Sequence, residues 1–408
     1  MVLVALLVAV FALGAGDFPS FARAQAAPAA IELSDGWKLS SARAVAESGP
    51  AVSEPGYDDG AWHPVRRMPA TVLQTLQDDG VYPNLYVGTN LRDEVPDDLY
   101  EQDWWYRTTF TAPAGHSQYL LQFPGINYRA EIWLNGRRLA GPDAVVGMYA
   151  AHDLDATALV RPGSANTLAV KVTPEQSVQD VDGVELADSW WDWINWRGIG
   201  YRKQGAAGTS FVPDRNAGIW KPVYLRASGD VTIGPATVNS ELPLPRTDSA
   251  RLTIYADARN RTAHPVRGVL RATISRPGRP DIRVEQPVDL RPGESREVQF
   301  GPDSFPALAV RDPDLWWPYT LGSPDLYDLN LEYRTFDRVV DSAHQRFGIR
   351  TVQQFRDGDA GADGGDFYLK VNGRELMVRG ATYTPDLLFA SDPDRETAIL
   401  RYVKDLGL

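Results

Sequence analysis

Short runs of alternating apolar and polar residues, punctuated by turn formers, restrict this chain to a fold built from small β-sheets. Gln118–Phe123, Thr167–Thr173 and Val223–Arg226 read as strands of this kind. Ala130–Leu134 runs into Asn135-Gly136, the pair that closes a two-residue hairpin. A strand with one apolar face must bury it against a second layer, so sandwiches are expected rather than isolated sheets. The 30 prolines and 35 glycines fit many turns, and 408 residues suffice for two or three domains.

Three blocks follow from the pattern. Residues 31–228 form a β-sandwich of the jelly-roll kind, interrupted by long irregular stretches at 66–103 and 176–218, where a binding face is expected. Residues 229–350 alternate again at Leu252–Ala256, Val269–Ile274, Val284–Val288 and Leu326–Tyr333, with the length and turn spacing of an immunoglobulin-like sandwich. Trp316-Trp317-Pro318, before the last of these strands, reads as packing at a domain boundary. Residues 351–408 differ. A hairpin of Phe367–Val371 and Glu375–Val378 turns at Asn372-Gly373 and leads into RGATYTPD at 379–386. A helix start comes next, with Asp392 as N-cap, Pro393 in first position, and Asp394 and Glu396 in the first turn. Ile399, Leu400, Val403 and Leu406 make its apolar face, and Gly407 supplies the stop. Strand, loop and amphipathic helix open a parallel β/α fold, of which one unit cannot bury both faces of its strand. The expected fold class is mostly β: a jelly-roll sandwich, an immunoglobulin-like sandwich, and the first βα unit of an incomplete (β/α)8 barrel.

Residues 2–13, VLVALLVAVFAL, are unbroken apolar, and Ala24-Gln25-Ala26 follows as a cleavage site. Twelve residues fit a signal-peptide core and are too short to span a bilayer, so residues 1–26 are expected to direct export, to a secreted or periplasmic location. The net charge of −12 argues against nucleic acid and anionic membranes as partners. Five scattered histidines and no cysteine leave no zinc-type cluster and no thiol nucleophile. No phosphate loop or serine-nucleophile elbow is present, and no cofactor is expected. DGDAGADGGD at 357–366 lacks the closing glutamate of a calcium loop, with Tyr368 at that place, and reads as a surface turn.

The strongest chemical signal lies at 190–196, WWDWINW, where four tryptophans surround Asp192. Indole is awkward to expose and its N–H needs a partner when buried. Flat aromatic faces beside a carboxylate suit a sugar, whose C–H face stacks on the rings and whose hydroxyls or amine bond to the acid. The plain alternative is a hydrophobic loop folded on its own domain. The lone carboxylate opposes it, because a core segment does not bury a charge without a partner.

With the blocks in this order, the chain resembles the N-terminal half of a glycoside hydrolase family 2 enzyme, from about residue 31 to the end. Three stretches carry the resemblance: SWWDWINW at 189–196, FVPDRNAGIWKPVYL at 211–225 and LKVNGRELMVRGATYTPDLLF at 369–389. The first two look most like the exo-β-D-glucosaminidase branch; the β-mannosidase branch tends to read G-W-D-W-G-P, with glycine where Trp190 stands here. β-Galactosidase activity and a purely carbohydrate-binding role are the remaining alternatives. The resemblance implies a retaining exo-β-glycosidase with a β-linked amino sugar as partner. It makes Asp192 and Trp193 the sugar-contacting pair, with Trp190 as a platform, and a carboxylate at 192 suits the C2 ammonium of glucosamine. Asp214, Arg215 and Asn216 are expected to support this loop, Arg215 by bridging Asp214 or Asp192. Tyr383 and Asp386 fall just past the first barrel strand, on the rim where barrel enzymes build sites, so they are expected to face substrate. A local turn cap beside Pro385 is the alternative for Asp386. The family's two catalytic glutamates lie on later barrel strands, so no residue of this chain is assigned as nucleophile or acid, and the chain alone is expected to be inactive.

Overall fold

A computed structural model of the chain describes residues 29–96, 98–175, 212–336, 338–356, 367–380, 383 and 385–408. The first sandwich packs two antiparallel sheets face to face. One has the strand order Ala29–Glu32, Tyr224–Ser228, Gln118–Phe123, His152–Asp155. The other runs His63–Pro64, Lys38–Ser41, Trp104–Thr111, Ala165–Thr173, Arg129–Leu134, Arg137–Ala140. Alternation does the sorting: Ala130, Ile132 and Leu134 enter the core between the sheets, where they meet Leu121, Phe123 and Leu225. Asn135 and Gly136 both take positive φ, 51° and 81°, as a two-residue turn of this hand requires.

The longer sheet is covered on its outer face as well. Trp105 and Ala169 turn away from the main core into a small cluster with Val45, Val52 and Trp62. Trp133 packs against the same cluster. Gly49 permits this approach, because a Cβ there would stand 2.2 Å from the Trp133 indole. Trp104–Thr111 is therefore buried along its first five residues rather than alternately. Within it, Arg107 is neutralised by Asp59 and donates to the Val52 and Glu54 carbonyls.

The second sandwich sets Val231–Glu241, Ser249–Asn260 and Ser295–Phe300 against a sheet ordered Ile282–Pro287, Val269–Ser275, Tyr327–Thr335, Arg338–Phe347. Ile254, Phe300, Leu270, Leu331 and Tyr333 fill the space between them, and the buried Tyr333 hydroxyl donates to the Val288 carbonyl at 2.6 Å. Asn260 has no exposed surface and its amide donates to the His264 and Arg291 carbonyls, which holds the turn after its strand. Only Gly229 and Asp230 separate the last strand of the first sandwich from the first strand of the second. Gly229 N–H donates to the Val340 carbonyl, and the buried Asp341 carboxylate pairs with Arg226 and accepts the Ile233 N–H at 2.6 Å. Mostly β architecture with two successive sandwiches is thus what the chain forms.

The C-terminal part opens with the antiparallel strands Val352–Arg356, Phe367–Val371 and Arg374–Leu376, with Asn372 and Gly373 at φ 50° and 80° in the hairpin turn. Trp316 and Trp317 stand at the boundary. The Asn372 amide donates to the Trp316 carbonyl, while the Arg350 and Arg374 guanidiniums lie over the two indoles. Residues 377–380 carry no ladder among the described residues. A parallel strand takes its hydrogen bonds from neighbouring strands, which a single βα unit does not supply. The helix Pro393–Asp405 starts as its sequence dictates, with Asp392 accepting the Arg395 N–H at 3.0 Å. Its apolar residues Leu400 and Leu406 are exposed. No helix of the described residues is long and apolar enough to cross a membrane; residues 1–26 lie outside the described part.

Candidate functional site

Asp214, Arg215 and Asn216 form the hub that joins the first sandwich to the segment after the hairpin. Arg215 and Asn216 hold positive φ of 53° and 54°, a strained backbone for residues with a side chain, and all three residues are buried. The turn is fixed from both sides. Asn127 donates its side-chain amide to the carbonyls of Arg215 and Asn216, and exchanges two backbone hydrogen bonds with Gly218. Gly218 must be glycine, since a Cβ would meet the Tyr106 hydroxyl and the Ala70–Thr71 backbone within 2.7 Å.

Each side chain of the hub then does one thing. Asp214 accepts the Leu73 N–H at 2.8 Å and the Asn216 N–H at 3.0 Å, stabilising the first turn of the helix Val72–Asp78. Complete burial pushes its carboxyl up to about 7 against the pull of those two N–H groups. Arg215 stacks its guanidinium 3.6 Å from the Tyr100 ring centre and donates to the Glu175 carbonyl at 2.6 Å. Glu175 immediately precedes the stretch that carries Trp190, Asp192 and Trp193. Those three residues lie outside the described part, and with them the Arg215–Asp192 bridge. Asn216 donates to the Leu387 carbonyl at 2.9 Å.

The last contact begins a docked segment. Thr71 Oγ1 donates to the Leu388 carbonyl at 2.9 Å and Arg67 to the Ser391 carbonyl at 3.2 Å. Leu388 is fully buried in the first sandwich's core, and Phe389 meets Trp220 edge to face at 5.5 Å. Trp220 is tied in turn to the Met148 carbonyl, so Gly218–Trp220 is packing.

Asp386 sits at the head of this segment as the cap of its turn. Its Oδ1 accepts the Leu388 and Ala390 N–H groups at 2.9 and 3.1 Å and the Tyr86 hydroxyl at 2.7 Å; its Oδ2 accepts Arg395 at 2.8 Å. The local-turn geometry is therefore the one it makes. Tyr383 is exposed, and shares a cavity of about 170 Å³ with Tyr86, Asp386 and Glu396. Burial, then the Asp386 carboxylate, push the Tyr86 hydroxyl well above the usual phenol range. Tyr86 and Asn127 had no signal in the sequence, because each acts on chain far away along it; Thr71 had only the local one, as cap of the helix Val72–Asp78. No group of three or more metal-ligating side chains occurs among the described residues.

Residues 37–207 match the glycosyl hydrolase 2 galactose-binding domain-like family, and residues 236–350 match glycosyl hydrolases family 2. The chain belongs to glycoside hydrolase family 2. Within that family it is 32% identical over 373 residues to an exo-β-D-glucosaminidase of Streptomyces avermitilis, covering 91% of this chain and 38% of that protein. The crystal structure of the Amycolatopsis orientalis exo-chitosanase CsxA superposes with a TM-score of 0.76 at 31% identity, over 93% of this chain and 40% of that one. A β-mannosidase B of Aspergillus clavatus is 27% identical over 80% of this chain and 37% of its own length. The chain thus spans about two fifths of the length of these family 2 relatives.

Proposed function

We propose that this chain provides the sugar-binding and spacer domains, at 31–228 and 229–350, of an exported retaining exo-β-D-glucosaminidase that releases glucosamine from chitosan-type oligomers. In this reading Asp192 and Trp193 hold the terminal sugar, Trp190 lies beneath it, and the nucleophile and acid are glutamates on barrel strands after residue 408. One observation carries the reading. Two consecutive hub residues hold chain on the way to both sides of such a pocket: Arg215 holds the Glu175 carbonyl, fifteen residues before Trp190, and Asn216 holds the Leu387 carbonyl, four residues after Tyr383. Support for an amino sugar comes from the closer identity to the glucosaminidase than to the mannosidase, and from Trp190 standing where the mannosidase branch tends to have glycine.

The test has two parts. The 408-residue chain is incubated with aryl β-glycosides, and no hydrolysis is expected; turnover would refute the location of the catalytic groups. In a protein extended to the length of its relatives, Asp192→Ala should cost at least tenfold more in kcat/KM on glucosaminides than on glucosides, the size of a lost charge-assisted contact of roughly 1.4 kcal/mol or more. Equal losses on both would remove ammonium recognition from the reading.

A further inference from the structure

Asp386 has little left to offer a substrate. Its Oδ1 takes three donors, its Oδ2 takes Arg395, and its side chain retains 13% exposure. A carboxylate oxygen has about two lone pairs, so Oδ1 is saturated. What remains open beside it is aromatic. Tyr86 is 43% exposed and Tyr383 is 56% exposed, although the chain between them and the core is tightly docked. Tyr86 lines cavities of about 170 Å³ and 160 Å³, the first shared with Tyr383. Their charged groups are unequal. Arg395 is paired with Asp386 and lies 6.0 Å from the Tyr86 ring centre over one face, and Arg67 donates to a carbonyl and keeps its charge, whereas Asp78, Asp392 and Glu396 add three carboxylates and leave negative charge in excess.

We propose that Tyr86 is an aromatic platform for an amino-sugar ring, in a subsite shared with Tyr383, and that Asp386 is its positioning residue. The ring face supplies the weakly polar surface a pyranose stacks on. Anchoring the hydroxyl to Asp386 fixes the ring before ligand arrives, which lowers the ordering entropy of binding. Surplus carboxylate around the cleft favours an ammonium over a neutral hydroxyl. The proposal rests on the glucosaminidase reading above and adds to it a residue from the far side of the first sandwich's sequence.

Titration of the 408-residue chain with chitotriose tests it. Tyr86→Ala should weaken binding about tenfold, as expected for a lost aromatic stack, with the melting temperature unchanged because the ring is half exposed. Asp386→Asn keeps an acceptor for the Tyr86 hydroxyl and should bind like the parent, while Asp386→Ala should bind as weakly as Tyr86→Ala. Asp386→Ala loses four accepted hydrogen bonds and should melt lower in either case, so binding decides: a merely structural Asp386 would show the same loss of binding in Asp386→Asn as in Asp386→Ala. Tyr86→Ala binding as tightly as the parent while Asp192→Ala fails to bind would overturn the platform and leave the glucosaminidase reading standing. No binding by the parent at millimolar chitotriose would overturn the platform alone, because the glucosaminidase reading puts the opposite wall of its pocket on later barrel strands.

Discussion

Replacing Asp214 by Asn should flatten the dependence of stability on pH. In the unfolded chain this carboxyl titrates near its ordinary value, about 3.9. In the fold, burial raises it to about 7. The folded state therefore holds a proton that the unfolded state has released, and the associated stability is fully present below about pH 4 and lost as pH rises through 7. Three pH units correspond to about 4 kcal/mol at the limit. From pH 5 to pH 8 about two of those units are crossed, so the parent should lose roughly 3 kcal/mol from this group alone. Asn keeps one acceptor oxygen for the Leu73 or Asn216 N–H and has nothing to titrate, so its loss over the same interval should be smaller by that amount. Hydrogen exchange at the Leu73 and Asn216 amides reads the effect where it arises, since those are the two N–H groups Asp214 holds. Parallel pH profiles for parent and variant would refute the reasoning and show that Asp214 stays ionised, paid for by its two N–H donors.

Three further outcomes follow from packing. Gly49→Ala drives a Cβ into the Trp133 indole and should lower stability by about 1–3 kcal/mol, seen as a fall in melting temperature. Asp341→Ala strips Arg226 of its partner and the Ile233 N–H of its acceptor, an expected loss of about 3–5 kcal/mol in urea unfolding. Leu388→Ala should remove about 2–5 kcal/mol and expose the 386–391 amides to exchange, because Leu388 is the fully buried residue of that segment.

Where one face of a strand meets a core and the other meets water, the sequence could be read closely. Arg129–Leu134 and Val269–Ser275 fall where alternation and turn residues put them, and the terminal helix begins at its expected cap. Trp104–Thr111 escaped notice for the opposite reason: with both faces covered, its first five residues show no period. The helix Val72–Asp78 lies in a stretch expected to be irregular; seven residues give too little periodicity, and its stability comes from Thr71 and Asp214. Of the site, Asp214, Arg215 and Asn216 were singled out by the motif that contains them; the tryptophan loop they were expected to support lies outside the described residues. Their targets were not legible, since Glu175, Leu73 and Leu387 are reached through backbone groups that any residue type presents. The same applies to Tyr86, which meets Asp386 across 300 residues of chain.

The two-residue joint at Gly229 and Asp230 has a consequence for how this architecture can vary. It is clamped from both sides, Gly229 by Val340 and Asp230 by the Ser117 hydroxyl. Side chains on a strand change face at every step, so one residue added here would turn Val231 and Ile233 toward solvent as far as the bulge between Ile233 and Ala236, where the register already shifts. The reach of the first sandwich is therefore set by the pleat on one side of the joint and by that bulge on the other.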